Sequence, residues 1–414
     1  MSEQPSMTFF GPLGRAYRRA CRSGIAEIGT DLVLCYTALH VRCVEGTLPY
    51  SWEKVWRPVR KGQAGLTDPD PPVRKRPGTP DGGAALRVDG VLREAAVNEL
   101  RSMLARRYRR KDPLPLPAFS PAVRYAVYEA MEEAARAGVQ HARAEHLLVG
   151  LLALPDSAAC RLLSQWRIAE PDSLDRIVRA DRAFSSEDEP QPNRAVTQLA
   201  FWQVLPASEQ RRWPWRALMW LVWRDIRRRY HRHGACYGHP ILNLIQTDAA
   251  RQALYTGHAF VTAAHVLLSL IDLHEHLESA DMALPDDAAR WSQAGAILAA
   301  HGVRGDAATK AATRLASAPN DKEELLAGLP TRGWRPPRNE LGAPTQGRTA
   351  LAALRDASLS AHRLGHPYAG TTHLLGALLA QPDGPAVRLL RQLGVDPDDV
   401  RLKVTRHLNN RGYS

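Results

Sequence analysis

Residues 357–375 read ASLSAHRLGHPYAGTTHLL, and the spacing in this stretch occurs four times along the chain. Two alanines stand four residues apart, a glycine follows four residues later, and a His or Leu with two apolar residues comes eight residues after the glycine. The spacing inside each copy is fixed while the distance between copies varies, which is typical of insertion-tolerant helical repeats. The copies are Ala16, Ala20, Gly24 and Leu32; Ala130, Ala134, Gly138 and His146; Ala249, Ala253, Gly257 and His265; and Ala357, Ala361, Gly365 and His373.

Each position of the template predicts a local structure. Alanines four residues apart form a small-residue stripe on one helix face, against which a second helix can pack closely. The glycine predicts the end of that helix, because glycine adopts the left-handed backbone conformation without strain. Thr30-Asp31, Thr262 and Thr371-Thr372 then lie in position to cap the next helix. The three motif histidines stand in separate copies, so a capping or packing role is favoured over a metal or catalytic set.

Proline, glycine and charged residues accumulate at 62–83, 185–193 and 328–344, which we interpret as loops or linkers. Between these stretches apolar residues recur at helical spacing, and no long alternating strand pattern appears. We therefore predict an all-α protein.

The composition fits a globular protein. The 414 residues suffice for two or three domains, and no stretch approaches the roughly 18 apolar residues of a membrane-spanning helix. Five cysteines without a C-x-x-C pair argue against a disulfide framework or a zinc ribbon, and the start has no secretory pattern, so we expect a cytoplasmic protein. The net charge of +12 permits an anionic partner without requiring one.

Several stretches resemble a known family. Residues 119–121 read FSP, residues 144–148 read AEHLL, and residues 364–375 read LGHPYAGTTHLL. They resemble the Clp N-terminal (Clp repeat) domain, whose usual motif is a Phe-Thr start followed by L-G-H-x-x-I-G-T-E-H-L-L. Residues 386–400, AVRLLRQLGVDPDDV, are similar to the closing helix of that family. The resemblance is specific in the second and fourth copies, recognisable in the first and faint in the third.

The resemblance implies a domain plan. In that family two copies pack as a pseudo-twofold, all-helical domain, so four copies imply two such domains. We place one at 1–184, with a loop insert at 46–83 that bulges from it, and a degenerate one at 236–414. A basic, tryptophan-rich linker at 185–235 joins them.

Proteins with this domain usually continue into ATPase rings, but the residues for that chemistry are missing from this sequence. No G-x4-G-K-[ST] phosphate loop occurs. The histidines of His274-Glu275-His276 lack the spacing of H-E-x-x-H, and G-x-S-x-G is absent. We therefore expect a non-enzymatic binding protein without a cofactor or a metal.

The resemblance also implies a ligand site, because some relatives bind phosphorylated arginine. In them the acidic residue before the motif His receives the guanidinium, and the Thr that opens the first helix of the same copy lies near the phosphate. The matching residues are Ser6 and Asp31 in the first copy and Ser120 and Glu145 in the second. A hydroxyl at a helix N-terminus suits an anion, and a carboxylate suits a guanidinium.

Two observations limit that site. The matching positions are His239 and Ala264 in the third copy and Gly347 and Thr372 in the fourth, so only the N-terminal domain is expected to keep a pocket. In the alternative interpretation Ser120 is an ordinary N-cap and Glu145 is a first-turn acid favoured by the helix dipole.

A basic stretch with several tryptophans lies at 211–239. Its apolar segment around Trp220 and Trp223 is too short to span a bilayer but suits an interfacial helix, a partner's groove or a buried helix. The pattern H-x-H-x2-C-x2-H at 231–239 contains zinc-type ligands, but its spacing matches no known finger, and an arginine-rich loop that happens to contain histidines is favoured. The basic patch consists of Arg224, Arg227, Arg228, Arg229 and Arg232.

We predict an adaptor, decoy or sequestering module that recognises Clp protease components, adaptors, tagged substrate proteins or a small-molecule ligand. The alternative is a nucleic-acid or membrane-surface binder that uses the basic patch, which a steep loss of binding with salt would favour. Nucleic acid is the less favoured partner, because no known DNA- or RNA-binding motif accompanies the patch.

Overall fold

The computed structural model describes residues 7–41, 57–59, 61, 66–69, 87–97, 99, 117–139, 141–165, 170–181, 184, 194–201, 204–205, 238–258, 260–315 and 344–409. The chain divides into two compact units, unit 1 at 1–191 and unit 2 at 192–414. The boundaries at 184 and 236 that we drew from the sequence stay predictions.

Unit 1 contains the first two copies of the repeat, each a pair of helices. Two further helices follow the second copy, and residues 87–97 are also helical. The named helices are α1 (Met7–Ser23), α2 (Thr30–Thr37), α3 (Pro121–Arg136), α4 (Ala144–Leu152), α5 (Ala158–Gln165) and α6 (Pro171–Ala180).

Unit 2 contains the third and fourth copies, with three short helices between them. Its buried apolar side chains form one continuous core, which runs from Ala195 to Leu408 and includes Trp291. The helices are α7 (Arg194–Phe201), α8 (Pro240–Tyr255), α9 (Ala263–Ser279), α10 (Asp286–Ala289), α11 (Ala294–Ala300), α12 (Gly305–Leu315), α13 (Arg348–Arg363), α14 (Thr371–Leu379), α15 (Pro385–Gln392) and α16 (Pro397–Asn409).

Short parallel ladders join the two copies within each unit. In unit 1, β1 (Glu27–Ile28) pairs with β2 (Ala118–Phe119), and Ile28 lies opposite Phe119. In unit 2, β3 (Phe260–Val261) pairs with β4 (Thr345–Gln346). Our all-α prediction is confirmed, and these strands were not foreseen because two residues are too few for an alternating pattern.

The template residues behave as their spacing predicts. All eight template alanines are fully buried. Gly24, Gly138, Gly257 and Gly365 each have a left-handed backbone, with φ between 68° and 76°, one or two residues after the end of the first helix of their copy. The predicted glycine stop is therefore confirmed in all four copies.

The predicted threonine caps are only partly correct. Thr262 is the N-cap residue of α9. Thr30 and Thr371 are instead the first residues inside α2 and α14, whose N-caps are Gly29 and Gly370. Their hydroxyls instead accept bonds from N–H groups at the start of another helix, α5 for Thr30 and α11 for Thr371.

No described helix is both long enough and apolar enough to cross a membrane.

Candidate functional site

In unit 1 the N-termini of three helices meet at the carboxylate of Asp68. The backbone N–H of Thr30 at the start of α2 donates to Asp68 Oδ2 over 2.8 Å, and that of Ala158 at the start of α5 donates to Oδ1 over 2.9 Å. The hydroxyls of Thr30 and Ser120 also donate to Asp68, over 2.6 and 2.7 Å. We call this cluster, Thr30, Asp31, Asp68, Ser120 and Ala158, the Asp68 junction.

The β1–β2 ladder explains why Thr30 and Ser120 are neighbours. The N–H of Ser120 donates to the carbonyl of Ile28 over 3.0 Å, which aligns the start of α3 with the start of α2. The Ser120 side chain is also the N-cap of α3, because it accepts a bond from the N–H of Val123 over 3.2 Å. Helix N-termini carry free N–H groups and a partial positive charge, so the junction favours an anion.

Asp31 contributes a second carboxylate to the junction. Its side chain is 8% exposed, and it accepts a bond from the N–H of Leu32 over 2.7 Å. Burial, together with the negative charge of Asp68, raises the pKa of Asp31 to about 6. A Cβ on Gly29 would lie 2.6 Å from Asp31 Oδ1, so this approach of the carboxylate depends on the glycine.

The structure brings only some of the predicted site residues together. Ser120 of the second copy and Asp31 of the first copy both belong to the Asp68 junction. Glu145 is the second residue of α4 and is partly exposed. Ser6 lies outside the described residues, and so does the whole basic patch, Arg224, Arg227, Arg228, Arg229 and Arg232. The roles proposed for these residues stay predictions.

Asp68 is the residue that the sequence analysis missed. It lies within the insert at 46–83, and its carboxylate reaches the junction. The expected bulge of the insert from its domain stays a prediction. The stretch TDPD reads as a turn in the sequence. The partners of Asp68 lie 38, 52 and 90 residues away in the sequence, and no local sequence pattern predicts contacts over such distances.

The motif histidines are structural, as predicted. His146, His265 and His373 are buried, and the Nδ1 of each accepts a bond from the N–H of the N-cap residue three positions earlier, over 3.1, 2.8 and 3.2 Å. Burial lowers the pKa of His146 to about 4 and that of His373 to about 3, so the rings stay neutral and can accept.

The described part of the chain contains no group of three or more His, Cys, Asp or Glu side chains that could hold a metal. Of the H-x-H-x2-C-x2-H pattern, His231, His233 and Cys236 fall outside that part. The fourth member, His239, is buried against the ring of Tyr368 at 4.8 Å, and burial lowers its pKa to about 4.

Unit 2 has an equivalent place with different groups in it. The repeat template aligns Gly370, Thr371 and Thr372 with Gly29, Thr30 and Asp31. The N–H of Thr372 donates to the carbonyl of Trp291 over 3.0 Å, and that of Thr371 donates to the hydroxyl of Ser292 over 3.4 Å. Neutral groups therefore satisfy the start of α14, where unit 1 uses a carboxylate.

This chain matches a known protein family and several known proteins in sequence. Residues 118–210 and 348–411 match the family described as the Clp repeat (R) N-terminal domain. A stretch of 46 residues is 48% identical to chaperone protein ClpC1, chloroplastic, from Oryza sativa subsp. japonica and from Arabidopsis thaliana, and to chaperone protein ClpC, chloroplastic, from Pisum sativum. That stretch is 11% of this chain and 5% of the length of each of these relatives.

Comparison with solved structures also gives matches. The N-terminal domain of the ClpD chaperone from Arabidopsis thaliana matches with a TM-score of 0.27 and 16% identity, over 40% of this chain and 91% of that domain. The family match covers the second and fourth copies, the two in which the motifs are specific, so the resemblance drawn from the sequence is confirmed there.

Proposed function

We propose that this chain, which contains Clp repeat N-terminal domain segments at 118–210 and 348–411, is a non-enzymatic protein-binding module. It acts as an adaptor, decoy or sequestering protein for Clp-type proteolysis. Its partners are Clp protease components, their adaptors, tagged substrate proteins or a small molecule that takes the place of a tag. We place it in the cytoplasm on the sequence arguments given above.

The Asp68 junction is the observation that carries this proposal. Two backbone N–H groups and two hydroxyls converge there on a negatively charged group, which is the arrangement that binds a phosphate. Asp31, beside them, is a buried carboxylate with a raised pKa, and a cationic group would stabilise its charged form. A ligand with an oxyanion next to a guanidinium therefore suits the junction, and phosphoarginine is such a ligand.

Unit 2 supports the assignment of binding to unit 1. Thr372 stands where unit 1 has Asp31, so the repeat supplies no carboxylate for a guanidinium at that position. The N–H groups at the start of α14 are bonded to Trp291 and Ser292. The resemblance pairs Ser6 with Asp31 and Ser120 with Glu145, so Glu145 remains the carboxylate of the second proposed position in unit 1.

Calorimetry with the full chain and a peptide that contains one phosphoarginine tests the proposal. We expect binding of this peptide and none of the same peptide with plain arginine or phosphoserine. Asp31→Asn lowers the affinity about tenfold or more, because the guanidinium loses its charged partner. Glu145→Gln reports on the second position in the same way.

The matched control is Asp399→Asn, which removes an exposed carboxylate from unit 2 and leaves the affinity unchanged. Absence of peptide binding to the wild-type chain and to every variant below contradicts the proposed function. If the wild type and Asp31→Asn bind the phosphoarginine peptide with equal affinity, Asp31 does not belong to the site. The alternative binder that uses the basic patch stays a prediction, because those arginines lie outside the described residues.

A further inference from the structure

The carboxylate of Asp68 uses the same donors that a bound phosphate would need. Oδ1 accepts from the hydroxyl of Thr30 and the N–H of Ala158, and Oδ2 accepts from the N–H of Thr30 and the hydroxyl of Ser120. Thr30 and Ser120 are almost fully buried. A second oxyanion cannot reach these four donors while Asp68 bonds to them.

Asp68 comes from outside the repeat framework. It belongs to residues 66–69, a described segment without regular secondary structure, which we call the plug. Besides the carboxylate of Asp68, the plug is bonded through the carbonyl of Thr67, which accepts from the guanidinium of the exposed Arg161 on α5. Among the described residues, the plug is held by one side chain and one exposed arginine, so it can leave the junction without breaking a helix.

Like charges also weaken the closed arrangement. The carboxylates of Asp31 and Asp68 stand in the same junction, and the negative charge of Asp68 disfavours the charged form of Asp31. A ligand that brings a phosphate together with a cation would replace the anion of Asp68 and neutralise Asp31 in one step. In the closed junction all four donors are bonded to Asp68. The incoming ligand still binds more favourably, because its cation pairs with Asp31 and Asp68 has none.

We propose that Asp68 is an intramolecular competitor: the plug closes an oxyanion site made by the starts of α2, α3 and α5, and a phosphorylated ligand binds only when the plug leaves. The inference rests on the proposed function for the identity of the phosphorylated protein ligand. The closure itself rests on the four bonds to Asp68 alone. Only molecules from which the plug has left can bind the ligand, so the apparent affinity of the wild type falls in proportion to the fraction of open molecules.

Two probes separate the closure from the function. The first is inorganic phosphate, measured as the shift in the thermal midpoint of the full chain against sodium chloride of equal ionic strength. We expect no phosphate-specific shift for the wild type, a lower midpoint for Asp68→Ala, and recovery of several degrees with phosphate, because a ligand that binds only the native state raises its stability. The second probe is the phosphoarginine peptide, whose affinity rises about tenfold in Asp68→Ala.

Further variants keep the test decisive if Asp68→Ala folds poorly. Asp68→Asn keeps the shape of the side chain and removes its charge. Arg161→Ala leaves Asp68 intact and removes the bond to the plug, so it raises the peptide affinity by a smaller factor. Asp89→Ala is the matched control, because Asp89 pairs with Arg124 at the surface of the same unit, and its loss changes neither probe.

The outcomes distinguish the two proposals. If the wild type binds the peptide as tightly as the Asp68 and Arg161 variants, the plug is overturned and the proposed function stands. If the Asp68 variants gain a phosphate response while no form of the chain binds the peptide, the plug stands and the proposed function fails. If the variants gain neither response, the closure by Asp68 is wrong.

Discussion

The two units solve the same structural problem with different chemistry. In both, a threonine at the start of a repeat helix accepts a bond from the N-terminus of another helix: Ala159 donates to Thr30 over 3.0 Å, and Ala294 donates to Thr371 over 3.4 Å. The remaining N–H groups at these starts need acceptors, because helix N-termini lack intrahelical partners. Unit 1 supplies the carboxylate of Asp68, and unit 2 supplies the hydroxyl of Ser292 and the carbonyl of Trp291.

This difference separates what the repeat determines from what it leaves open. The template places Gly29 and Gly370, with the helix that follows each, in the same local geometry. The group that accepts bonds from the start of each helix comes from a segment outside the template, and this group decides whether the site carries a charge. A side chain such as that of Asp68 can rotate away, whereas the carbonyl of Trp291 belongs to the backbone and is buried in a core.

The largest predicted effect compares Gly370→Ala with Gly29→Ala. A Cβ on Gly370 would overlap the carbonyl oxygen of Trp291 and lie 2.7 Å from its carbon, so the backbone has to move. We expect a loss of about 3 kcal/mol or more in the stability of unit 2. In Gly29→Ala the new methyl group meets only the side chains of Asp31 and Asp68, at 2.6 and 3.4 Å, and a loss of about 1 kcal/mol is expected.

Segment-resolved hydrogen exchange on the full chain measures both losses separately. Gly376→Ala is the control, since Gly376 lies in the same helix as Thr371 and its Cβ would meet only a methyl group of Val404 at 3.2 Å. An equally large loss in Gly29→Ala would show that the Asp68 junction is as rigid as the backbone contact of unit 2. That outcome would also weaken the case for a plug that leaves.

The second prediction concerns the carboxylate of Asp31, which unit 2 replaces by the neutral Thr372. Asp31→Asn should stabilise unit 1 at pH 7 by about 3 kcal/mol, because one pKa unit corresponds to about 1.4 kcal/mol and the pKa of Asp31 is raised from 3.8 to about 6. Asn keeps an oxygen that can accept from the N–H of Leu32. The pH dependence checks the cause. The folded state of the wild type binds more protons than the unfolded state between about pH 4 and 6, so its stability falls as the pH rises through that range.

The variant lacks this part of the pH dependence. Denaturant unfolding of both proteins at pH 4.5 and 7 gives the comparison, and a parallel pH profile in the two proteins would show that Asp31 does not titrate as described. The same substitution is expected to weaken peptide binding. A gain in stability with a loss of affinity is the result expected for a residue kept for a ligand rather than for the fold.

The sequence was sufficient for the repeat framework because that framework depends on local rules. The end of a helix at Gly138, the alanine stripe at Ala130 and Ala134 and the cap by His146 each follow from spacing within one copy. Four occurrences of the same pattern strengthened each of these inferences. The site residues Ser120 and Asp31 came from the family resemblance, and the structure places both at one junction.

The sequence was insufficient for the contacts between copies. Thr30 was predicted to cap α2, but its hydroxyl accepts from Ala159, which lies 129 residues further along the chain. Asp68 was not predicted at all, because a single Asp in a Pro- and Gly-rich insert looks like any turn residue. Both misses are three-dimensional relations between helix ends, for which hydropathy and spacing give no signal.

The smallest predicted effect is a difference in acid sensitivity between the units. Burial, with His366 and His407 nearby, lowers the pKa of His373 to about 3, and burial lowers that of His265 well below its usual value. The unfolded state then binds more protons below about pH 6.5, so unit 2 loses stability as the pH falls. In unit 1 the lowered pKa of His146 has the same effect, but Asp31 gains a proton more readily in the folded state and offsets it.

Hydrogen exchange at pH 7 and pH 5, corrected for the intrinsic exchange rates, compares α4 with α14. We expect a clear loss of protection in α14 and little change in α4. His373→Asn should reduce the acid-induced loss in unit 2 by on the order of 1 kcal/mol, since it removes one of the groups that titrate. Asp31→Asn should make unit 1 lose stability as the pH falls, because the effect of His146 is then no longer offset by Asp31. Equal losses in the two wild-type units would mean that Asp31 does not offset His146, and the electrostatic contrast between the units would then fail.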